Sequence, residues 1–267
     1  MNENHIIKVN VDRDLEKVFT IDRTERGIII GEEAEFDTIT PEQMLTWAID
    51  TNNIPLRSRD GAIIRVEGGG NSYKVFEDST KEMFLDAMHT EAKTIQVIGD
   101  PINGKAFFAL SNNLGETWET NKLDGIALSD GEAFFSSSGT NLQISKSSNT
   151  FKKGTFMVTG GKVSRLLNAR DQRDQYPLPL LQGKESTGAN SIAISPSGNH
   201  AFIVGGDFAN DTLRTGNSIA LRLEPSILFK APTTPPFGYR SCVIYLDNQT
   251  LVACGTSGVD ISKDGGM

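Results

Sequence analysis

The chain has 267 residues, enough to bury a substantial core, and its 26 Gly and 10 Pro favour many short strands joined by turns. A net charge of −8 argues against duplex nucleic acid and anionic membrane surfaces as partners, because both need a basic face. No run approaches the roughly 18 apolar residues of a membrane span, so no membrane insertion is expected.

The N-terminal stretch MNENHIIKVNVDRD has neither a basic n-region nor an apolar h-region, so no signal peptide is legible. HIIKVNV and RGIIIGE read as strands. TITPEQMLTWAID reads as a short helix near 41–50, with Thr40 as N-cap, Pro41 in the first helical position and Gln43 closing a capping box.

Further along, SNNLGETWE (111–119) follows the apolar run KAFFAL. Its pattern is S-x-N-x-G-x-T-W. The Asn113 side chain can bond the turn backbone, Gly115 supplies a positive φ, and Trp118 opens the next strand with a ring to bury. SKDGG places Ser262, Asp264 and Gly266 in the same slots, and its aromatic slot falls two residues past Met267. Weaker copies are VEGGGNSY, ARDQRDQY and RLEPSILF. The eighth-slot aromatics Tyr73, Trp118, Tyr176 and Phe229 stand roughly 45 to 58 residues apart, the period of a four-stranded propeller blade. A second landmark runs in phase with them: apolar strands enter small-residue corners at Gly99, Gly160, Gly205 and Gly255.

These signals predict an all-β fold, a β-propeller of four-stranded antiparallel blades. About five blades are visible where six or seven are expected, and the last is expected to be cut short. Residues 1–60 read as an irregular N-terminal blade region, and residues 61–267 as regular blades of the same single domain.

The segments FLDAM, GDPINGKAFF, GEAFFSSSGTNL, TGGKVSRLL, GKESTGANSIAI, VGGDF and GYRSCV occur in one order over about residues 60–267. They resemble a bacterial family of propellers with Asp-box (BNR-like) repeats, often grouped with photosystem II assembly-factor-like proteins. The resemblance implies a propeller, usually periplasmic or secreted, that carries no established catalytic residues. Polar residues of these stretches are the candidate binding face: Asp100, Glu132, Arg165, Lys184, Glu185, Asp207 and Arg240. The chain departs from the family where several boxes lack their Asp or Gly.

The glycine runs VEGGGNS, VTGGKVS and VGGDF are not the G-x-G-x-x-G of a βαβ unit, so no nicotinamide or flavin cofactor is expected. His5, His89 and His200 lie on separate segments without ligand spacing, so no metal is expected. Asp100 and Asp207 suit a hard cation or, more simply, turn capping. Ser186 has no paired histidine in view. A sialidase needs three arginines on the substrate carboxylate plus a carboxylate and a Tyr/Glu pair. Arg165 and Arg240 supply two, with Tyr239 beside one, but Asn53 stands where the Arg-Ile-Pro arginine belongs. The competing reading is that both arginines bridge blades through strand-end carbonyls. Cys242 and Cys254, inside SCVIYL and TLVACG, read as small core residues on neighbouring strands, with a disulfide open to them if those strands pair. The expectation is a non-catalytic scaffold that recognises a protein or glycan through its loop face, with a sialidase-like glycoside hydrolase as the alternative.

Overall fold

Strand after antiparallel strand follows the alternation of apolar residues. The computed structural model describes residues 5–12, 15–24, 27–33, 45–50, 61–67, 72–77, 83–91, 93–120, 123, 125–145, 154–223 and 225–267. The chain divides into two compact units, Met1–Leu85 with Ser111–Trp118, and Asp86–Leu110 with Glu119–Met267.

The first unit contains two three-stranded sheets: β1 (His5–Asp12), β2 (Leu15–Thr24) and β3 (Gly27–Glu33), then β4 (Leu45–Asp50), β5 (Ala62–Glu67) and β6 (Ser72–Glu77). The predicted helix is not formed over 45–50. Leu45–Asp50 is strand β4, paired antiparallel along its whole length with β5. Capping signals act within one turn, whereas LTWAID carries Thr, Trp and Ile, which suit a ladder whose partner is supplied by distant residues. Residues 40–44 and Asn53 lie outside the described residues.

A four-stranded meander follows: β7 (Leu85–Glu91), β8 (Thr94–Ile102), β9 (Lys105–Ser111) and β10 (Glu119–Thr120). Next in the chain come β11 (Glu132–Ala133), β12 (Leu142–Ser145), β13 (Gly154–Val158), β14 (Gly160–Gly161), β15 (Arg165–Asn168) and β16 (Gln175–Pro177). β12, β13, β15 and β16 make a second four-stranded sheet. A third set of four is β17 (Thr187–Ile194), β18 (His200–Asp207), β19 (Ser218–Arg222) and β20 (Leu228–Lys230). The two-residue strands β11 and β14 extend that sheet to six. The last sheet is β21 (Cys242–Tyr245), β22 (Leu251–Gly255) and β23 (Gly258–Ser262).

Successive sheets of the second unit pack face to face. Ala87, Ile98 and Phe108 meet Phe134, Leu142, Met157 and Leu167. Phe156, Val158 and Leu166 meet Ile192, Ile203, Ile219 and Leu221. Phe202, Val204 and Ala220 meet Val243, Leu251 and Ala253. Apart from Phe134, which directly follows β11, these side chains come from strands, and period-2 alternation buries both faces of the middle sheets. This is the packing of propeller blades: the fold is all-β and of β-propeller class.

The aromatic landmark marks the outer strands. Tyr73, Tyr176 and Phe229 lie in β6, β16 and β20, and Trp118 directly precedes β10. Tyr176 and Phe229 meet edge to face at 6.4 Å. The glycine landmark differs from the expectation of corners. Gly160 and Gly205 sit inside the ladders, at β14 and β18, where their strands pair with β17. Gly160 pairs with Gly188, which has φ +119°. A Cβ on Gly188 would stand 2.5 Å from the Gly160 Cα, so only a bare backbone fits. Gly188→Ala is expected to cost about 1–3 kcal/mol, read as a fall in thermal midpoint.

The turns at Ser111–Gly115 and Ser262–Gly266 have the geometry expected of the S-x-N-x-G pattern. The Ser111 hydroxyl accepts from the Gly115 amide at 2.8 Å and donates to Asn113 Oδ1 at 2.9 Å. Asn113 Oδ1 accepts from the Thr117 amide at 3.0 Å, and Gly115 has φ 76°. Trp118 Nε1 donates back to the Gly115 carbonyl at 3.2 Å, with its ring 6.1 Å from that of Phe76. In the C-terminal copy the Ser262 hydroxyl likewise accepts from the Gly266 amide at 2.9 Å and donates to Asp264 at 2.6 Å.

Candidate functional site

At one end of the second unit's strands the connecting loops are tied to one another in sequence. The Lys162 amide donates to the Gly131 carbonyl at 2.8 Å, and the Gly183 amide to the Gly161 carbonyl at 3.3 Å. The Phe208 amide donates to the Ser186 carbonyl at 3.1 Å, and the Tyr239 amide to the Asp211 carbonyl at 2.7 Å. The Ser257 hydroxyl closes onto the Phe237 carbonyl at 2.8 Å. These bonds, four of them backbone to backbone, tie the loops to a scaffold of strands, which is what a presenting surface needs. Every predicted site residue except Asp100 lies on or beside this belt.

Glu132 and Arg165 are brought together. Glu132 is buried, and its two carboxylate oxygens accept from Arg165 Nε and Nη2, both at 2.8 Å. Thr159 Oγ1 and the Ser129 amide complete the carboxylate at 2.6 and 2.9 Å. Two of the three remaining guanidinium donors reach Gln175 Oε1 at 2.5 Å and the Ala127 carbonyl at 2.7 Å. Arg240 is enclosed separately, with only 1% of its surface exposed. Its Nε and Nη2 both engage Asp260 Oδ2, the first at 2.7 Å, while Nη1 donates to the Tyr239 carbonyl at 2.8 Å and Ser257 Oγ at 2.6 Å. Each arginine therefore has its own carboxylate and its own carbonyl. A guanidinium with four of its five donors engaged in this way has no fork left for a substrate carboxylate.

Lys184 and Asp207 form a looser pair, Nζ to Oδ2 at 3.8 Å, between an exposed lysine and a buried carboxylate. Burial works to raise Asp207, but bonds from the Ser186 hydroxyl and the Ala209 amide, with the Lys184 charge, outweigh it and hold the carboxyl below its ordinary range. Ser186 thus serves this carboxylate. Glu185 is exposed on the same loop. Asp100 stands instead on β8, beside buried Asp86 of β7. Among the described residues no three His, Cys, Asp or Glu side chains gather as metal ligands.

The face has an aromatic component that sequence reasoning passed over. Phe208 is 51% exposed and meets Phe135 and Tyr239 edge to face at 6.1 and 6.2 Å. Beneath it, the Tyr239 hydroxyl and Ser137 Oγ donate to Asn190 Oδ1 at 2.9 and 2.8 Å. Burial raises the Tyr239 phenol, partly offset by Ser137. Phe237 is equally exposed, and the Arg214 guanidinium lies 5.4 Å above its ring. A cavity of about 710 Å³ opens beside them, lined by Arg214, Pro235 and Pro236 and floored by Phe202, Val243 and Leu251. The usable signal was an aromatic standing just past a strand end, in VGGDF and PPFGYR.

No family model matches the sequence, and no curated protein matches it. Among solved structures, a Bacteroides thetaiotaomicron protein of unknown function aligns with TM-score 0.50 and 10% identity, over 98% of this chain and 70% of that one. An ancestral GH74 enzyme aligns with TM-score 0.47 and 11% identity, over 90% of this chain and 33% of the enzyme. YCF48 bound to D1 peptide aligns with TM-score 0.35 and 9% identity, over 98% and 92%. At such identities likeness speaks to fold alone.

Proposed function

We propose that the chain is a non-catalytic recognition scaffold of the Asp-box propeller type, which binds a protein or glycan through the belt of tied loops. The observation that carries this reading is the division of labour on that face. Arg165 and Arg240 are engaged by Glu132, Asp260 and carbonyls, while Phe208, Phe237, Lys184 and Glu185 stand open to solvent. Exposed rings on a fixed backbone are the side chains that dominate recognition surfaces, and the adjoining cavity offers room for a peptide side chain or sugar ring. Asp-box membership is supported by the matching turns at Ser111–Gly115 and Ser262–Gly266. The sialidase-like alternative loses support, because its substrate-binding arginines would first have to abandon buried partners.

The test is a panel of immobilised glycans and displayed peptides probed with wild-type protein and the Phe208→Ser/Phe237→Ser variant. A ligand of the wild type should bind the variant about tenfold or more weakly, with little change in thermal midpoint. Hydrolysis of a fluorogenic sialoside that falls in Arg165→Lys would reverse the assignment.

A further inference from the structure

Antiparallel pairing of β21 with β22 sets Cys242 directly opposite Cys254. Residues so opposed have Cα atoms about 4.5–5.5 Å apart, inside the roughly 4.4–6.8 Å that a disulfide spans. The expectation of two core cysteines fails on alternation: their neighbours Val243 and Ala253 take the core face, which leaves Cys242 half-buried and Cys254 exposed on the other. Both thiols are free and hydrogen-bonded to each other. Thr140 Oγ1 donates to Cys242 Sγ at 3.8 Å. Joining the sulfurs would displace no core side chain.

We propose that Cys242 and Cys254 form a two-electron oxidation site, converted by a hydroperoxide into a cross-strand disulfide with Cys254 as the attacking sulfur. The pair is asymmetric in the required sense. The hydrogen bond from Cys242 and the Arg240 guanidinium outweigh partial burial and pull the Cys254 thiol down to about 6, while that same bond and burial hold Cys242 protonated. The Cys254 thiolate attacks one peroxide oxygen, the O–O bond breaks, and hydroxide (or an alkoxide) departs with the electron pair and takes a proton. Cys254 is then a sulfenic acid. The Cys242 sulfur displaces its hydroxyl, which leaves as water with the Cys242 proton as the S–S bond forms. Two thiols are oxidised, and the peroxide is reduced to two waters or to water and an alcohol.

The experiment treats the full chain with hydrogen peroxide near neutral pH and counts thiols. The expected result is loss of both thiols, a mass lower by two hydrogens, one joined peptide pair in a non-reducing map, and full reversal by dithiothreitol. Cys254→Ser should lose its remaining thiol about tenfold more slowly than the wild type. Cys242→Ser should accumulate a dimedone-trappable sulfenic acid at Cys254. Persistence of both thiols, disulfides only between molecules, or equal rates for Cys242 and Cys254 in the single variants would overturn the proposal.

Discussion

Glu132→Ala is expected to lower the stability of the protein by about 3–5 kcal/mol, the usual consequence of removing one partner from a buried ion pair. Glu132 is fully enclosed and accepts four hydrogen bonds, two of them from Arg165. Its loss strands a guanidinium that is only 14% exposed, and it frees the Thr159 hydroxyl and the Ser129 amide as well. Chemical denaturation would read the effect as a lower midpoint with an unchanged slope. A double replacement with methionine at Glu132 and leucine at Arg165 should recover much of the loss, since apolar groups of similar volume leave no charge unpaired. A single alanine variant as stable as the wild type would mean that the pair does not hold these loops.

Asp86→Asn is expected to act in the opposite direction. Asp86 is buried on β7, and burial, with the negative charge of Asp100, raises its carboxyl from 3.8 to about 9 despite a bond from the Asp100 amide. A carboxyl with a raised folded pKa stabilises fully below the unfolded value, and that contribution is lost as pH climbs through the folded value. Between about pH 4 and pH 9 the folded chain must therefore hold a proton that the unfolded chain releases. At pH 7 the cost approaches about 4 kcal/mol. The amide avoids it, so the variant should gain up to that amount at pH 7, almost nothing near pH 3.5, and lose the wild type's decline between about pH 4 and pH 9. A flat difference between the two proteins across pH would contradict this reading of Asp86.

The features legible in sequence were those whose hydrogen bonds close within a few residues. Ser111, Asn113 and Gly115 bond one another, so the turn announces itself and its copy at Ser262–Gly266 can be found by pattern. Trp118 was legible for the same reason, being bonded to its own turn at Gly115. Illegible features depended on distant partners. Strand β4 was hidden behind a local capping signal because the β5 residues that pair with it lie beyond an intervening segment. Arg165 and Arg240 were recognised as important types, but their roles hinge on Glu132, 33 positions away, and Asp260, 20 positions away. Gly205 and Gly160, read as corners, lie inside ladders where paired strands approach closely, and only pairings such as Gly160 with Gly188 reveal it. Phe208 was overlooked because an aromatic past a strand end looks like core until its neighbours are known.

The most direct test of recognition by the loop face is hydrogen–deuterium exchange with and without the strongest binder from the glycan and peptide panel. Protection is predicted over residues 181–187, 207–217 and 235–241, and it should vanish in the Phe208→Ser/Phe237→Ser variant. A panel without a binder, or protection confined to strands away from these loops, would contradict the account.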